Sequence, residues 1–487
     1  MPPESDPASE TERCDLVVVG AGIAGLNALF VATQYLSRDQ KVVLIDRRER
    51  GGGMWTDTYP YVRLHQPHQL FTAGALPWKS KRPAEYLATR DEVLDHMERC
   101  LGYARDRLHL DERFGWVYDS HTEDGDGVQV TCTAPDGRRT VVRARRMIKA
   151  FGYRIGVKDP FPVSSAQVRS VSPNHLDIHG SDLRDSESPV WVIGSGKTGM
   201  DTADAMITHY PGREVSMVAG SGSWFLRREK LFPAGARRWW DGRDTAQLVE
   251  EVARRFDGTN EKTVNAWMRE HYGIGLRPEG DNFMFGFLSE PELHRVDRGL
   301  HELVMDHLVD AVDGDDGPEL VFRSGARRRV PAGSWIVNCT SYIMGNESPY
   351  EPYVSPGGSV LSLHMRSATL PFSTYMGYLM PHVMFLDKLR AVPLYELDVV
   401  DLREKAPTVV IPAMMAQARL NISLILDHVP SLVFKDFGTD LDRWYPLPRW
   451  AVRKMQFKAA HHRGLDHFRR TLDTVGERFD VRCGPLV

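Results

Sequence analysis

Two stretches of this chain carry the same punctuation. Val19-Gly20-Ala21-Gly22-Ile23-Ala24-Gly25 and Ile193-Gly194-Ser195-Gly196-Lys197-Thr198-Gly199 both space their glycines as Gly-x-Gly-x-x-Gly, about 175 residues apart. Each follows a short β-branched run, Leu16–Val19 and Val190–Ile193, and each leads into a helical stretch, Ala24–Tyr35 and Met200–Ile207. A second strand closes each unit: Lys41–Ile45, ending on Asp46, and Glu214–Ala219. Strand, glycine turn, helix and strand within about 30 residues make a βαβ unit of the Rossmann type. In the first turn Gly20 permits the bend, Gly22 lets backbone approach a pyrophosphate, and Gly25 lets helix and strand pack closely. The helix N-terminus favours the diphosphate, and a carboxylate at Asp46 can accept hydrogen bonds from a ribose. The second turn repeats this logic without the P-loop pattern. There Lys197 and Thr198 either meet a phosphate or form an ordinary exposed turn. Two dinucleotide sites in one chain imply electron traffic between two cofactors, a flavin and a nicotinamide.

The rest of the chain is arranged around these units. Residues 51–80 are loop-like, 85–105 read as an amphipathic helix, and 114–148 alternate as strands with turns at Asp124–Gly127 and Asp136–Gly137. Residues 230–311 read as a charged helical insertion containing Trp239-Trp240. Glu319–Arg329 suggests a hairpin and Ser334–Cys339 a buried strand. Residues 345–400 are loop-rich and 405–475 mostly helical. The expected fold is therefore α/β, with two Rossmann-like domains, a helical insertion at about 230–311 and a mostly helical C-terminal extension. The divisions are a disordered tail at 1–14, a first FAD-binding part at 15–170, an NAD(P)H-binding domain at 171–330, an FAD-domain return at 331–400, and the extension at 401–487.

Composition limits the alternatives. With 42% apolar and 26% charged residues the chain is neither disordered nor collagen-like, and a formal charge of −4 offers no general basic excess for nucleic acid or an anionic membrane. The five cysteines, Cys14, Cys100, Cys132, Cys339 and Cys483, form no CxxC pair and no zinc spacing, which argues against a disulfide reductase and for a reducing, cytoplasmic compartment. Met1–Arg13 lacks the regions of a signal peptide, and no membrane span is expected.

Six features in fixed order resemble the class B flavoprotein monooxygenases, the group that includes flavin-containing monooxygenases, N-hydroxylases and Baeyer-Villiger monooxygenases. They are the first glycine turn, Gly52-Gly53-Met54-Trp55, Ala150-Phe151-Gly152, the second turn continuing through Thr198-Gly199-Met200-Asp201, Ser221-Gly222-Ser223-Trp224, and Ile336-Val337-Asn338-Cys339-Thr340-Ser341-Tyr342. The resemblance covers about residues 15–390. It implies an FAD-dependent, NAD(P)H-consuming monooxygenase that inserts one atom of O2 into a small or medium organic substrate through a flavin C4a-(hydro)peroxide, with NADPH (or NADH) as reductant. An FAD-dependent oxidoreductase or oxidase without productive oxygen transfer is the alternative. The resemblance also adds Ala24, Arg47, Met54, Trp55, Leu64, Val117, Asp201 and Thr340 to the cofactor-binding residues and implies a homodimer; from charge and spacing, no metal, nucleic acid or membrane partner is expected.

Three departures from the family pattern matter. His65, in Tyr61-Val62-Arg63-Leu64-His65-Gln66, stands where relatives place Asn or Asp beside the flavin. It can donate a hydrogen bond or titrate near neutral pH, or it is a loop histidine; Arg63 and Gln66 are further catalytic candidates. The family's linker motif is replaced by Phe161-Pro162-Val163 and Val168-Arg169-Ser170. Gly220 occupies the position where NADPH-preferring relatives carry Arg, leaving Arg227 and Arg228 as stand-ins for holding a 2′-phosphate, or as a solvated basic patch.

Some remaining features have two readings. Thr374-Tyr375-Met376-Gly377-Tyr378 is either a flavin-facing stretch or a simple turn. Met414-Met415 with the apolar stripe Val409–Ile425 reads as core or as a substrate lid. Trp239-Trp240 lines an entrance or packs against a partner. His461-His462 with His467 has poor metal spacing.

Overall fold

The computed structural model describes residues 12–152, 156–340 and 348–486. The tail 1–11 and the pair Ser341-Tyr342 lie outside the described residues. β1 (Glu12–Val19) is central to the first sheet, parallel to β2 (Lys41–Asp46) on one side and β6 (Arg139–Gly152) on the other. β3 (His109–Phe114) continues the parallel side beyond β2. On the far side β5 (Gly127–Thr133) and β4 (Val117–Asp124) run antiparallel from β6, and β18 (Val360–His364) joins the second half of β6 in parallel. Leu16, Val17 and Val18 are fully buried, because helices cover one face of the sheet and the β4–β6 layer closes the other. A strand buried on both faces reads as a continuous apolar run rather than an alternating one.

The second sheet is wholly parallel, in the order β13 (Glu302–Val304), β9 (Val215–Val218), β8 (Val190–Ile193), β17 (Trp335–Asn338), β7 (Arg169–Val171). Two small sheets flank it. One joins β11 (Gly273–Gly275), β10 (Ser223–Arg227) and β12 (Asn282–Leu288); the other joins β14 (Leu308–Gly314), β15 (Gly317–Phe322) and β16 (Arg327–Arg329).

The helices, in chain order, are α1 (Ile23–Ala32), α2 (Arg90–Arg105), the short α3 (Ser181–Arg184), α4 (Lys197–His209), the short α5 (Arg228–Leu231), α6 (Thr245–Arg255), α7 (Glu261–Tyr272), α8 (Glu290–Gly299), α9 (Ser373–Phe385), α10 (Val399–Lys405), α11 (Val410–His428), α12 (Leu447–Ala460) and α13 (Leu465–Phe479). The helix expected over 85–105 starts only at Arg90. Thr89 caps it: its hydroxyl accepts the Glu92 N–H and the Glu92 carboxylate accepts the Thr89 N–H at 2.9 Å. No helix among the described residues is long and apolar enough to cross a membrane.

Several sequence expectations are corrected. β1 begins at Glu12, where Lys41 and Arg113 pair with the Glu12 carboxylate, so ordered chain reaches into the expected tail. The 230–311 insertion is not all helical, since β11 and β12 lie within it and pair with β10. The 345–400 region contains a full helix, α9, so the Thr374–Tyr378 stretch is not a simple turn. Gly377 is what lets α9 press on α1: a Cβ there would lie 2.5 Å from the Ala24 carbonyl oxygen. The second sheet claims both β7 and β17, strands that the divisions at 170 and 331 split off or gave to the FAD return. Met414 and Met415 are 2% exposed inside the main core, where α11 packs on α6 and α13.

Candidate active site

The two glycine turns have one geometry. Gly20 has φ +107° and Gly194 φ +106°, left-handed values that disfavour any side chain. A Cβ on Gly20 would lie 2.6 Å from the Ala150 carbonyl, and one on Gly194 2.8 Å from that of Cys339. A Cβ on Gly25 or Gly199 would fall 1.8 or 1.9 Å from the carbonyl of the first glycine of its own turn. Each turn is thus pinned between its helix and the end of a neighbouring strand. That contact explains why Ala150-Phe151-Gly152 and Asn338-Cys339-Thr340 accompany the turns in sequence.

The first turn opens on a cavity of about 530 Å³. Its walls include Gly20, Gly22 and Ala24 from the turn, and Asp46, Arg47 and Arg48 after β2. Met54, Trp55, Arg63, Leu64, His65 and Gln66 come from the following segment, and Val117 from the start of β4. Gly25 of the first turn does not line this cavity, while from the second unit Lys197 and Thr198 reach it. Neither is an exposed turn residue: both are buried. α1 starts with Gly22 at its cap and no capping side chain, so its first N–H groups are left for a ligand. One Asp46 oxygen braces the turn, accepting the Ala21 N–H at 2.6 Å, and the other accepts the Arg48 N–H at 2.8 Å. The sequence reading missed this bracing role. Trp55 and Phe71 meet edge to face, 5.6 Å between centroids, and make an apolar wall with Val62 and Leu64.

The segment from Asp57 to His65 is strapped to the second unit. Tyr59 donates to Asp201 at 2.7 Å, Tyr61 and Thr202 share a 2.9 Å hydrogen bond, and Asn174 donates to the Asp57 carbonyl at 2.6 Å. Lys197 forms an ion pair with Asp201. Burial raises the Asp201 pKa, outweighing Lys197, and holds the Tyr59 hydroxyl protonated. Arg228 donates to the His65 carbonyl at 2.7 Å and pairs with Glu292 at 2.8 Å. Burial, with the positive charges of Lys197 and Arg228, lowers His65 to about 3. The expectation of a histidine titrating near neutral pH is therefore corrected: His65 lines the cavity as a neutral imidazole.

The remaining candidates are spread more widely. Arg63 lines the cavity but is exposed, and its guanidinium donates to the Leu87 carbonyl at 3.0 Å. Ser195 donates to the Ala219 carbonyl at 3.0 Å and lies 3.1 Å from the Ser223 hydroxyl, which ties the second turn to the Ser221–Trp224 motif. Thr340 donates to Asn338 at 2.7 Å. Gly194, Gly196, Gly199, Arg227 and Arg228 do not line the cavity. Gly220 has φ +62°, and a Cβ there would lie 3.1 Å from His307 Nε2, so this backbone cannot easily host the arginine of NADPH-preferring relatives. The Arg228 guanidinium is engaged by Glu292 and the His65 carbonyl. Arg227 pairs with Glu290 at 3.0 Å at the surface. The replaced linker is anchored instead: Ser164 and Ser165 bond Asp310 and Asp313 of β14, and Ser170 donates to the Phe161 carbonyl at 2.6 Å.

Tyr59, Phe71 and Glu292 were not read from sequence. Glu292 left a trace as the third residue after Ser289 in a capping box, but its pairing with Arg228 has no local signal. His467 bonds Ala253 rather than joining His461 and His462; Asp427 joins them instead, with one ligand atom from each of the three within 4.8 Å.

The same layout is found in solved enzymes. The chain superposes on a cyclohexanone monooxygenase from Rhodococcus bound to NADP+ with a TM-score of 0.52, at 13% identity over 92% of this chain and 98% of that one. A polycyclic ketone monooxygenase from the fungus Thermothelomyces thermophila gives 0.51 at 12% identity, over 94% and 90%. This is the fold of the flavoprotein monooxygenases. In sequence, the chain is similar to curated proteins over part of their length. An uncharacterised protein of Mycobacterium tuberculosis is 30% identical over 246 residues, 47% of this chain and 43% of its own. A putative FAD-containing monooxygenase, MymA, from the same organism is 28% identical over 44% of each chain. The matches thus span less than half the length of these relatives. No protein-family profile matches the chain.

Proposed function

We propose that this chain is an FAD-dependent, NAD(P)H-consuming monooxygenase acting on O2 and a small or medium organic substrate. The observation that carries the reading is the single cavity onto which the first glycine turn, the 52–66 segment and the start of α4 all open. Its donors suit FAD. The open start of α1 favours a diphosphate, Asp46 keeps a second lone pair on each oxygen for a ribose, and Trp55, Val62, Leu64 and Phe71 offer a dry wall to a ring system. Bound flavin supplies the two-electron store and the oxygen-activating ring.

The protein's own residues do the rest. The apolar wall excludes water, which strengthens each hydrogen bond made inside it. Neutral His65 offers one N–H donor and one acceptor at the cavity, with its backbone fixed by Arg228. Lys197 reaches the cavity in an ion pair with Asp201, to which Tyr59 in turn donates. Gln66 adds an uncharged amide to the same wall. The five free thiols fit a reducing compartment, which supports a cytoplasmic site of action. The anchored linker favours a second reading, an oxidase or reductase that returns electrons to O2 without transferring oxygen.

The test is turnover of the flavin-loaded protein under 18O2 with NADPH or NADH and a panel of amines, sulfides and ketones. One labelled oxygen in a product, with substrate-stimulated NAD(P)H use, is the expected result. Hydrogen peroxide equal to NAD(P)H consumed, with every substrate, would replace the proposal by the second reading.

A further inference from the structure

α12 turns its apolar face outward. At about 100° per residue, Leu447, Pro448, Val452, Met455 and Ala459 share one arc of the helix, and Leu447, Val452 and Met455 are 72%, 47% and 64% exposed. The helix buries none of its residues fully. Its opposite side carries charge inward: Lys454 pairs with buried Asp440 at 2.8 Å, Arg453 with buried Asp244 at 2.9 Å, and Trp450 donates to Asp440 at 3.1 Å. A helix docked on a globular protein ordinarily does the reverse.

Two neighbours extend this surface. Arg449 donates to the Arg238 carbonyl at 3.2 Å and the Gly242 carbonyl at 3.1 Å, which sets Trp239 and Trp240, 54% and 69% exposed, beside the helix. Lys458 donates to Ser431 at 3.1 Å, which brings up Leu432, 73% exposed. Cations border it. Lys435, Lys458 and Arg463 are exposed nearby, whereas Arg449, Arg453 and Lys454 are turned to buried Asp244 and Asp440, and Arg237 pairs with Asp241. Isolated apolar side chains on a surface need no explanation, but six of them joined across three hydrogen-bonded elements and rimmed by cations do.

We propose that this face seats the protein on an anionic lipid bilayer, with α12 lying in the headgroup region and Trp239-Trp240 beside it. An interfacial helix needs an apolar face, a cationic flank and aromatic anchors, and all three are present. A second copy of the chain suits the surface less well, because a two-fold contact would bring the basic rims together. Net charge gives no sign of such a site, because −4 is a sum over the whole molecule while Lys435, Lys458 and Arg463 lie beside this one face.

Flotation of the full chain with vesicles of phosphatidylcholine, or of phosphatidylcholine with 30 mol% phosphatidylglycerol, tests this. Binding to the anionic vesicles only, reversed by 0.5 M NaCl, with a blue shift of tryptophan emission, is expected. The double variant Leu447→Ser, Met455→Ser should bind at least tenfold more weakly while keeping its far-ultraviolet spectrum. If that variant loses the fold, Trp239→Ser, Trp240→Ser gives the same comparison away from the helix. Absence of the wild-type chain from both vesicle fractions overturns the proposal. So does a dimer in analytical ultracentrifugation that the serine variants dissociate and that does not bind anionic vesicles, since the face would then be a subunit contact.

Discussion

At the level of single residues, His65 shows how position changes chemistry. Its backbone is held by Arg228 and its ring shares the neighbourhood with two fixed cations. With its pKa lowered to about 3, the ring stays neutral throughout the working range, and pH-dependent activity must come from other groups. His65→Gln, which keeps a neutral donor and acceptor, is therefore expected to lower kcat by about tenfold while leaving the shape of kcat/KM against pH unchanged. A wild-type step near pH 6.5 that disappears in the variant would contradict this. The glycines make a sharper pair. A Cβ on Gly25 would collide with the Gly20 carbonyl at 1.8 Å, whereas one on Gly22 would sit 3.4 Å from the Gly53 Cα, an ordinary contact. Gly25→Ala should cost about 3 kcal/mol or more in urea unfolding, and Gly22→Ala under about 1 kcal/mol, yet Gly22→Ala should purify with less FAD because its methyl stands at the open helix start. The turn residues were legible because a glycine spacing encodes a backbone shape. The state of His65 was not, since it depends on Lys197 and Arg228, which arrive from other parts of the chain.

At the level of elements, α8 carries more than its own cap. Glu292 accepts the Ser289 N–H at 2.8 Å and pairs with Arg228, which reaches the carbonyl of the cavity-lining His65. Burial pushes the Glu292 carboxyl up, but Arg228, Lys197 and the Ser289 N–H together hold it down at about 2, below the ordinary 4.5. A carboxyl depressed in the folded state contributes stability that is present above pH 4.5 and lost as pH falls towards 2. Glu292→Gln keeps the cap acceptor and removes the charge, so it should cost about 2 kcal/mol at pH 7 and progressively less from pH 4.5 down to 3, as urea midpoints at the two ends would show. An equal loss at pH 7 and pH 3 would point to the cap instead of the ion pair. The capping box itself was visible in Ser289-Glu290-Pro291-Glu292, because it is local. α9 was not, because Gly377 and Pro381 inside it are the usual marks of a loop. Only the crossing of α1, where Gly377 meets the Ala24 carbonyl, shows that one of them is a packing residue.

At the level of the whole molecule, the two sheets are coupled through one short segment. Tyr59, Tyr61, the Asp57 carbonyl and the His65 carbonyl each bond to the second unit, and that segment also lines the cavity of the first. The sequence made both units legible because each repeats a local pattern. It did not disclose this coupling, because hydrogen bonds spanning more than a hundred residues leave no periodicity. If the segment fixes where one cofactor meets the other, removing its hydroxyl groups should damage transfer between them more than the binding of either. Tyr59→Phe with Tyr61→Phe keeps both rings packed and leaves Asp201 its Lys197 partner. The two lost hydrogen bonds should lower stability by about 1 kcal/mol each, read as a Tm decrease of a few degrees. FAD content and reduction by dithionite should be unchanged, while reduction by NADPH or NADH in stopped-flow should slow about tenfold or more. Equal slowing with dithionite would place the damage at the flavin itself. An unchanged NAD(P)H rate would mean that the straps hold the units together without setting the distance between their cofactors.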